Sequence, residues 1–427
     1  MCGILGKLGR NAPAHLPLET PKHRGPDACG SWTNGRNCTL GHTRLAILDP
    51  DPRANQPMRD LSGRFTLVFN GEIYNYAELR RDRLKGVAFR STSDTEVLLN
   101  LWARYGVDAL PLLRGMFAFA VWDERTESLY LVRDRLGKKP LFYSLHGDGL
   151  AFASELCALR PLLRTCPDVS APAIDLFLGY QFIPAPHTIY HGVHKLRPAH
   201  YGVWHAGVWQ EVRYWELTFD PDHAIGDEDA LTLLEAQVRE ATRLRLRSDV
   251  PVGVLLSGGV DSSLVAAMAA QEYGGTLKTF SMGFHEETFN ELPFAQRVAD
   301  RYATDHHAFI LNEEAEELLQ SAVTCYGEPF GDKSALPSML VCREAAKHVK
   351  VVLNGDGGDE LLAGYKKYAV GALKRGTGPW AVTAAALGRG LDQVSTYVGA
   401  DRGLLRKARA TLPPLSQVMH FDEFLQP

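Results

Sequence analysis

Residues 250–263 have the sequence VPVGVLLSGGVDSS, and this stretch decides how the second half of the chain folds. An apolar, partly β-branched run ends at Ser257-Gly258-Gly259, and an alanine-rich segment with helical spacing, residues 264–270, follows it. Apolar β-branched runs that end at glycine favour buried strands, and the spacing after the glycines favours a helix. The stretch therefore predicts a strand, a tight loop and the N-terminus of a helix.

The predicted loop has the features of an anion-binding site. Gly258-Gly259 lets a ligand approach the backbone closely, and the hydroxyls of Ser257 and Ser262 and the first helical amides supply donors. A Walker loop would carry Lys after its glycines, whereas this chain carries Asp261. A carboxylate beside phosphates suits Mg²⁺, which takes oxygen ligands from protein and phosphate together. An ordinary strand-to-helix turn has similar residues, and the stretch alone leaves that alternative open.

Strands and helices alternate through the second half of the chain. The predicted strands cover 250–256, 279–283, 307–311 and 349–353, with helices between them. This pattern predicts an α/β domain with a parallel sheet, whose ligands bind at the carboxyl ends of the strands. Residues 257–259 and the sequence NGDGGDE at 354–360 should converge there, so that Asp261 and Asp359 share a metal ion.

Composition narrows the function classes. The 427 residues carry a net charge of −4, without the basic excess of nucleic-acid or membrane-surface proteins. The sequence has no apolar run of membrane-spanning length and no secretory signal, so we expect a cytoplasmic protein. The seven cysteines are odd in number and contain no Cys-x-x-Cys pair, which predicts neither a disulfide framework nor a zinc site.

Cys2 is the candidate nucleophile. Removal of Met1 would make it the first residue, and its own α-amino group could then accept the thiol proton directly or through one water. Amines at the N-terminus titrate near pH ~7.7–8.0 and thiols near ~8.5, so this transfer is feasible at neutral pH. A buried, inert cysteine in a first strand is the alternative.

Three further positions in the first half suggest a substrate pocket. Arg44 lies in a predicted strand over 41–49 and can bind a carboxylate with two N–H groups. Asn70 and the Gly71 amide follow another strand and suit an oxyanion hole, although Asn-Gly is also a common turn. Asp94 belongs to a helix N-cap pattern, Ser93-Asp94-Thr95-Glu96, and is alternatively free to bind an ammonium group.

Several motifs in this order resemble glutamine-hydrolysing asparagine synthetases over essentially the whole chain. They are MCGI at 1–4, HRGPD at 23–27, RLAILD at 44–49, NQPM at 55–58, FNGEIYN at 69–75, SDTE at 93–96, RDRLGKKPL at 133–141, SGGVDSS at 257–263 and GDGGDE at 355–360. Agreement of so many independent motifs strongly favours a functional Cys2 and a functional Ser-Gly-Gly loop.

The resemblance implies two domains and a linker. Residues 2–210 would form a class II glutamine amidotransferase domain of the N-terminal-nucleophile hydrolase fold, an α+β sandwich with two sheets between helices. Residues 211–228 would be the linker. Residues 229–427 would form an ATP pyrophosphatase domain of the adenine-nucleotide α-hydrolase type, lacking its C-terminal part.

The resemblance also implies residue roles. Cys2 would attack the glutamine side chain, and ammonia would pass to a β-aspartyl-AMP intermediate to give asparagine, glutamate, AMP and pyrophosphate. The residues implied for the glutamine site are Cys2, Asn70 and Gly71 in catalysis and Arg44, Leu45, Ile47, Glu72 and Asp94 in binding. Those implied for the ATP site are Leu256, Ser257, Gly258, Gly259, Asp261, Ser262, Met282, Asn354 and Gly355, with Mg²⁺ at Asp261 and Asp359.

The match ends before the family's long C-terminal helical part, and Asn290-Glu291 stands where many relatives have Asp-Glu. Three functions therefore stay open. The first is asparagine synthesis from glutamine, aspartate and ATP. The second is amidation of another carboxylate by the same mechanism, on a sugar, lipid or peptide. The third is a shortened protein that acts only as a glutaminase or only by binding. The resemblance makes a homodimer plausible, with small molecules as the other partners.

Overall fold

A computed structural model of the chain describes residues 1–10, 12–147, 149–222, 224–283, 290–310, 315–365 and 368. The chain divides into two compact units, Met1–Asn354 and Gly355–Pro427, and each is described by itself. None of the helices among the described residues combines the length and apolar character needed to cross a bilayer.

The first part of the larger unit contains two six-stranded sheets. The strands are β1 (Gly3–Leu8), β2 (Ala28–Thr33), β3 (Cys38–Arg44), β4 (Met58–Arg59), β5 (Phe65–Ile73), β6 (Gly115–Asp123), β7 (Ser128–Arg133), β8 (Phe142–His146), β9 (Gly149–Ala153), β10 (His194–Lys195), β11 (His200–His205) and β12 (Val208–Arg213). Sheet one has the order β10-β8-β9-β1-β3-β2, and sheet two has the order β12-β11-β7-β6-β5-β4. Every pairing within both sheets is antiparallel.

Helices cover the outer face of each sheet. They are α1 (Tyr76–Arg83), α2 (Asp94–Tyr105), α3 (Leu156–Leu159) and α4 (Ala171–Tyr180). Side chains alternate between the two faces of a strand, so Ile4 and Val68 pack between the sheets while Leu5 and Phe69 face the helices. The predicted αββα sandwich is confirmed.

The second part of the unit is a four-stranded parallel sheet, ordered β15-β14-β13-β16. Its elements are α5 (Asp227–Arg245), β13 (Val252–Leu255), α6 (Val260–Glu272), β14 (Lys278–Gly283), α7 (Leu292–Tyr302), β15 (Asp305–Ile310), α8 (Ala315–Tyr326), α9 (Ala335–Ala345) and β16 (Val351–Leu353), and the smaller unit contributes α10 (Gly358–Leu362). Alanines of α6 and α7 pack on one face against Val252 and Val254, and Val341 of α9 packs on the other face against Phe280. The predicted parallel sheet with helices on both faces is confirmed.

We predict that Gly71→Ala destabilises the sandwich. Gly71 of β5 pairs with Phe117 of β6, and an added Cβ would lie 2.2 Å from the Met116 carbonyl oxygen and 2.7 Å from Phe117 Cα. Since both contacts are to backbone, two central strands must separate, and we expect a loss of about 1–3 kcal/mol or more in the free energy of unfolding. Urea unfolding measures it.

Gly179→Ala is the matched control. Gly179 lies in α4 with no atom within 4 Å of an added Cβ, so this variant should be neutral or more stable, by up to about 1 kcal/mol. Equal stability of the two variants would contradict the prediction for Gly71.

Candidate active site

One end of the space between the two sheets is polar. Cys2, His42 and Asn70 continue the inward-facing positions that Ile4, Leu40 and Val68 occupy nearer the centre. A pocket opens there, and it is lined by Met1, Cys2, Arg44, Leu45, Ile47, Leu48, Gln56, Phe69, Asn70, Gly71, Glu72, Asp94, Thr95, Met116 and Lys139. The structure thus brings together all eight residues that the sequence suggested for a glutamine site.

The Cys2 thiol is held by the backbone of the loop after β3. The Leu45 amide donates to Sγ at 3.4 Å, and Sγ lies 3.8 Å from the Leu45 carbonyl oxygen. Burial raises the pKa of the thiol above its usual value. Burial also lowers the pKa of the Met1 α-amino group to about 6, helped by the Arg24 and Lys139 charges. The Met1 amine is therefore mostly unprotonated at neutral pH.

The Asn70 side chain is fully buried, and neither its Oδ1 nor its Nδ2 has a hydrogen-bond partner among the described residues. An unpaired buried polar group costs roughly 1–3 kcal/mol, so native structures keep few of them without a functional reason. Since Asn70 lines the pocket that contains Cys2, its amide is available to a ligand. A free N–H donor in a buried pocket is what an oxyanion hole requires.

Arg44 holds the loop that follows β3, in addition to lining the pocket. Its Nη1 donates to the Asp51 carbonyl at 3.0 Å and to Asn55 Oδ1 at 2.7 Å, and its Nη2 donates to the carbonyls of Leu48 and Asp49. These four bonds use both terminal nitrogens. Only Nε–H lacks an acceptor within the described residues. Arg44 could therefore bind a substrate carboxylate with two N–H groups, as the sequence predicts, only if it gave up one of its hydrogen bonds to the loop.

Two carboxyl groups face the same pocket. Burial, together with the nearby Asp94 charge, raises the pKa of Glu72 to about 8. Burial also raises the pKa of Asp94 to about 6, against bonds such as the one from the Ile73 amide at 2.9 Å. Ser93 supplies the helix cap by accepting from the Glu96 amide, which leaves Asp94 in the pocket. A bound ammonium group would stabilise the ionised forms of both carboxyls.

Sequence reasoning gave no role to Lys139, although its motif was recognised. The side chain is 4% exposed and lines the pocket. Burial lowers the pKa of its ammonium group to about 8, with the Arg24 charge acting in the same direction. Nζ contacts Met1 Sδ, and no carboxylate lies within 4.0 Å of it among the described residues. Its place in the RDRLGKKPL motif at 133–141, in the loop between β7 and β8, was the available signal.

The loop after β13 is closed by its own serines. Ser257 Oγ lies 2.9 Å from Ser262 Oγ, and the Gly259 amide donates to Ser257 Oγ at 3.2 Å. Gly258 has φ +90°, in the left-handed region that favours glycine. The hydroxyls are therefore partly engaged, and the amides that open α6, where Asp261 lies in the first turn, are the remaining donors.

The other residues suggested for ATP have definite places in the parallel sheet. Leu256 follows β13, Met282 lies near the end of the neighbouring β14, and Asn354 follows β16 on the other side of β13. All three are at the carboxyl edge of the sheet. Gly355 and Asp359 belong to the smaller unit, where Asp359 lies in α10. The shared metal site of Asp261 and Asp359 stays a prediction.

The chain matches two family models. Residues 1–215 match the glutamine amidotransferase domain, and residues 233–420 match asparagine synthase. Glutamine-hydrolysing asparagine synthetase 1 of Bacillus subtilis is 36% identical over 380 residues, which cover 86% of this chain and 59% of that protein. A putative glutamine-hydrolysing asparagine synthetase 2 of Methanocaldococcus jannaschii is 36% identical over 402 residues, covering 87% and 77%. Amidase chry2 of Gibberella zeae is 33% identical over 392 residues, covering 85% and 57%.

We predict that Glu72→Gln flattens the pH dependence of stability. In the unfolded chain Glu72 ionises near its ordinary pKa of 4.5, whereas burial keeps it protonated in the folded chain up to a pKa of about 8. Glu72 therefore binds more protons in the folded state between these values, so its contribution to the free energy of unfolding falls as pH rises through this window. Urea unfolding at several pH values inside the window measures the slope of stability against pH, and the variant should lack this negative contribution.

Glu78→Gln is the control for that slope. Its hydrogen bonds with Arg247 lower the pKa of Glu78 to about 2, so this carboxylate is ionised in both states through most of the same window. The control should lower stability by a similar amount at each pH and keep the slope of the wild type. A slope in Glu72→Gln equal to that of the wild type would contradict the assignment.

Proposed function

The chain belongs to the glutamine-hydrolysing asparagine synthetase family, and on that premise we propose that it makes asparagine from aspartate, glutamine and ATP. The observation that supports the proposal most directly is the unpaired, fully buried Asn70 amide in one pocket with Cys2. The chain spans 59% of the length of the Bacillus subtilis relative, so the complete reaction is inferred from the residues present.

We infer the following steps at the glutamine site. With Met1 removed, the Cys2 amine takes the thiol proton, and Sγ attacks the side-chain carbonyl carbon of glutamine. Asn70 Nδ2 donates to the oxyanion, the amine returns the proton to the leaving ammonia, and a thioester remains. Water then hydrolyses the thioester to glutamate. The carboxylates of Glu72 and Asp94 hold the substrate's ammonium group, while Arg44 Nε and the backbone near Leu45 and Ile47 surround its carboxylate.

We place the second reaction at the carboxyl edge of the parallel sheet. The carboxylate of aspartate attacks the α-phosphorus of ATP, pyrophosphate leaves, and ammonia then displaces AMP from the acyl carbon. The loop of Ser257, Gly258, Gly259 and Ser262 would face the phosphates, and Leu256, Met282 and the Asn354-Gly355 backbone would hold the AMP part. Activation as an acyl adenylate makes the carboxylate oxygen a good leaving group. Ammonia attacks only while unprotonated, so a passage that excludes water helps.

Mg²⁺ would neutralise phosphate charge next to Asp261 and Asp359. The described residues contain no group of three or more His, Cys, Asp or Glu side chains arranged to hold a metal. Sites for Mg²⁺ with a nucleotide commonly use only one or two carboxylates and take further oxygens from the phosphates. Asp261 lies in the first turn of α6, directly after the loop that would face the phosphates, so this carboxylate fits that arrangement.

Domain limits of 2–210 and 229–427, with a linker at 211–228, accompany this proposal. The family matches at 1–215 and 233–420 support the order of the two domains. We also propose that the enzyme is cytoplasmic, acts on small molecules and forms a homodimer.

A second candidate is amidation of another carboxylate. The similarity to amidase chry2 supports it, because the match covers 85% of this chain and 57% of that protein, which is named an amidase. Asn290 also differs from the Asp-Glu pattern, and its Oδ1 accepts from the Leu292 amide at the start of α7. The acceptor that triggers pyrophosphate release separates the two candidates.

We predict that Asn70→Ala lowers kcat for glutamine hydrolysis by about 10²–10³-fold, the usual effect of removing one oxyanion-hole donor. Its free energy of unfolding should not fall, because Asn70 forms no hydrogen bond with the described residues and burial of its unpaired amide costs stability. Glutamate formation and urea unfolding are measured together.

Gln56→Ala is the matched amide control. Gln56 Oε1 accepts from the Phe69 amide at 2.6 Å, and its Nε2 donates to Thr95 Oγ1. Loss of this side chain leaves a buried N–H unpaired and should cost roughly 1–3 kcal/mol of stability. Wild-type kcat in Asn70→Ala would overturn the oxyanion role.

We also predict aspartate-dependent pyrophosphate release by the Met-processed chain with Mg-ATP and glutamine. Gly258→Ala should abolish this release and leave glutamine hydrolysis intact, because the added Cβ would lie 2.8 Å from the Ala295 amide nitrogen at a φ of +90°. Release that requires a different carboxylate would favour the second candidate. Glutamate formation without any pyrophosphate would indicate a glutaminase alone.

A further inference from the structure

The segment Leu45–Asp49, here called the pocket loop, shapes the glutamine site without any regular secondary structure of its own. It follows β3 directly, and Leu45, Ile47 and Leu48 line the pocket. Its Leu48 and Asp49 carbonyls accept both bonds from Arg44 Nη2. A loop without strand or helix bonds depends on side chains and neighbouring segments for its conformation.

Asp49 holds the most constrained backbone in the pocket loop. Its φ is +44°, in the left-handed region, and the residue is 3% exposed. A left-handed conformation in a residue other than glycine persists only where its surroundings enforce it. The Asp49 carboxylate supplies part of this constraint, because it accepts from the Thr92 amide at 2.7 Å and from Arg53 Nε at 3.0 Å.

Asp249 supplies a further constraint on the Asp49 backbone. It lies in the part of the chain that matches asparagine synthase. Its Oδ2 accepts from the Asp49 amide at 2.7 Å, and its own amide donates to the Ile47 carbonyl at 3.2 Å. These two bonds hold the pocket loop on both sides of Leu48. Asp249 lies three positions before β13, which ends at the proposed ATP loop.

A second contact from the same sheet supports this arrangement. Lys350, immediately before β16, has Nζ 2.8 Å from Asp27 Oδ2, and that oxygen also accepts from the Ala46 amide at 2.8 Å. The amino ends of two neighbouring parallel strands therefore reach the pocket loop at different points.

We propose that Asp249 is a positioning residue of the glutamine site, contributed by the asparagine synthase part of the chain. It fixes the Asp49 amide and the Ile47 carbonyl, and through them the carbonyls that orient Arg44. Cys2 directly precedes β1 and Asn70 lies on β5, and neither has a hydrogen bond to Asp249. Cys2 contacts the pocket loop at Leu45, whereas Asp249 bonds it at Ile47 and Asp49, so loss of Asp249 should affect binding of glutamine more than the chemical step. This inference rests on the proposed glutaminase reaction.

The test compares Asp249→Ala with Asp249→Asn in the full chain. We expect the alanine variant to raise KM for glutamine about tenfold, which corresponds to about 1.4 kcal/mol, with kcat within about twofold of the wild type. The asparagine variant keeps an oxygen acceptor in place and should restore most of the wild-type KM. Glutamine protects Cys2 from alkylation by iodoacetamide when it occupies the site. Asp249→Ala should need a correspondingly higher glutamine concentration for the same protection, and this measurement reports binding without turnover.

Glu328→Gln is the matched control. Glu328 also joins the two matched parts of the chain, through Lys195 and the Ile189 amide, and lies outside the pocket. We expect wild-type KM there. Asp249→Ser, whose hydroxyl is too short to replace Oδ2, serves if the alanine variant does not fold.

Each outcome decides one of the two ideas. If the wild type is active and Asp249→Ala has the same KM for glutamine and the same protection of Cys2 by glutamine, only the positioning role is overturned. Equal losses of kcat in the alanine and asparagine variants would overturn it as well, because they would indicate a general structural defect. A wild type that hydrolyses no glutamine would overturn the proposed function, and the positioning role with it.

Discussion

The glutamine site depends on one hydrogen bond between the two sheets. His42 Nε2 of β3 lies 3.1 Å from the Phe69 carbonyl oxygen of β5. A carbonyl only accepts, so Nε2 carries the proton. Burial lowers the pKa of His42 to about 3, which keeps the ring neutral. Because Phe69 precedes Asn70, this bond helps to set the distance between the oxyanion donor on sheet two and Cys2, which directly precedes β1 of sheet one.

The opening beside Asn70 exists because β4 is only two residues long. It pairs with Thr66 and Leu67, so β5 has no strand partner on that side beyond Leu67. Backbone groups there need other partners. The Phe69 amide donates to Gln56 Oε1, and its carbonyl accepts from His42. Side chains thus replace a strand edge and leave room for a ligand, while burial in the same space raises the pKa of Glu72 and lowers that of Lys139.

Local patterns accounted for the parts of the structure that neighbours in sequence determine. The motifs that resemble the family predicted the sandwich, alternating strands and helices predicted the parallel sheet, and the SDTE pattern predicted the Ser93 cap. Contacts between distant segments were not predictable from spacing. Asp249 is 200 residues from Asp49, and the bonds that occupy Arg44 depend on where the loop after β3 folds back. Lys139 was missed because a buried lysine is recognised by its surroundings, which a single sequence does not display.

The parallel sheet has two functional ends. Ligands bind such sheets at the carboxyl edge, and the amino edge then remains available for contacts with another part of the protein. In this chain the amino ends of β13 and β16 reach the pocket loop through Asp249 and Lys350. The four residues of β13, at about 3.3 Å each, make roughly 13 Å of rigid strand between that contact and the Ser257 loop. A strand fixed by neighbours on both sides keeps these two loops at a constant separation, so the same short element that carries the nucleotide loop also fixes the pocket loop.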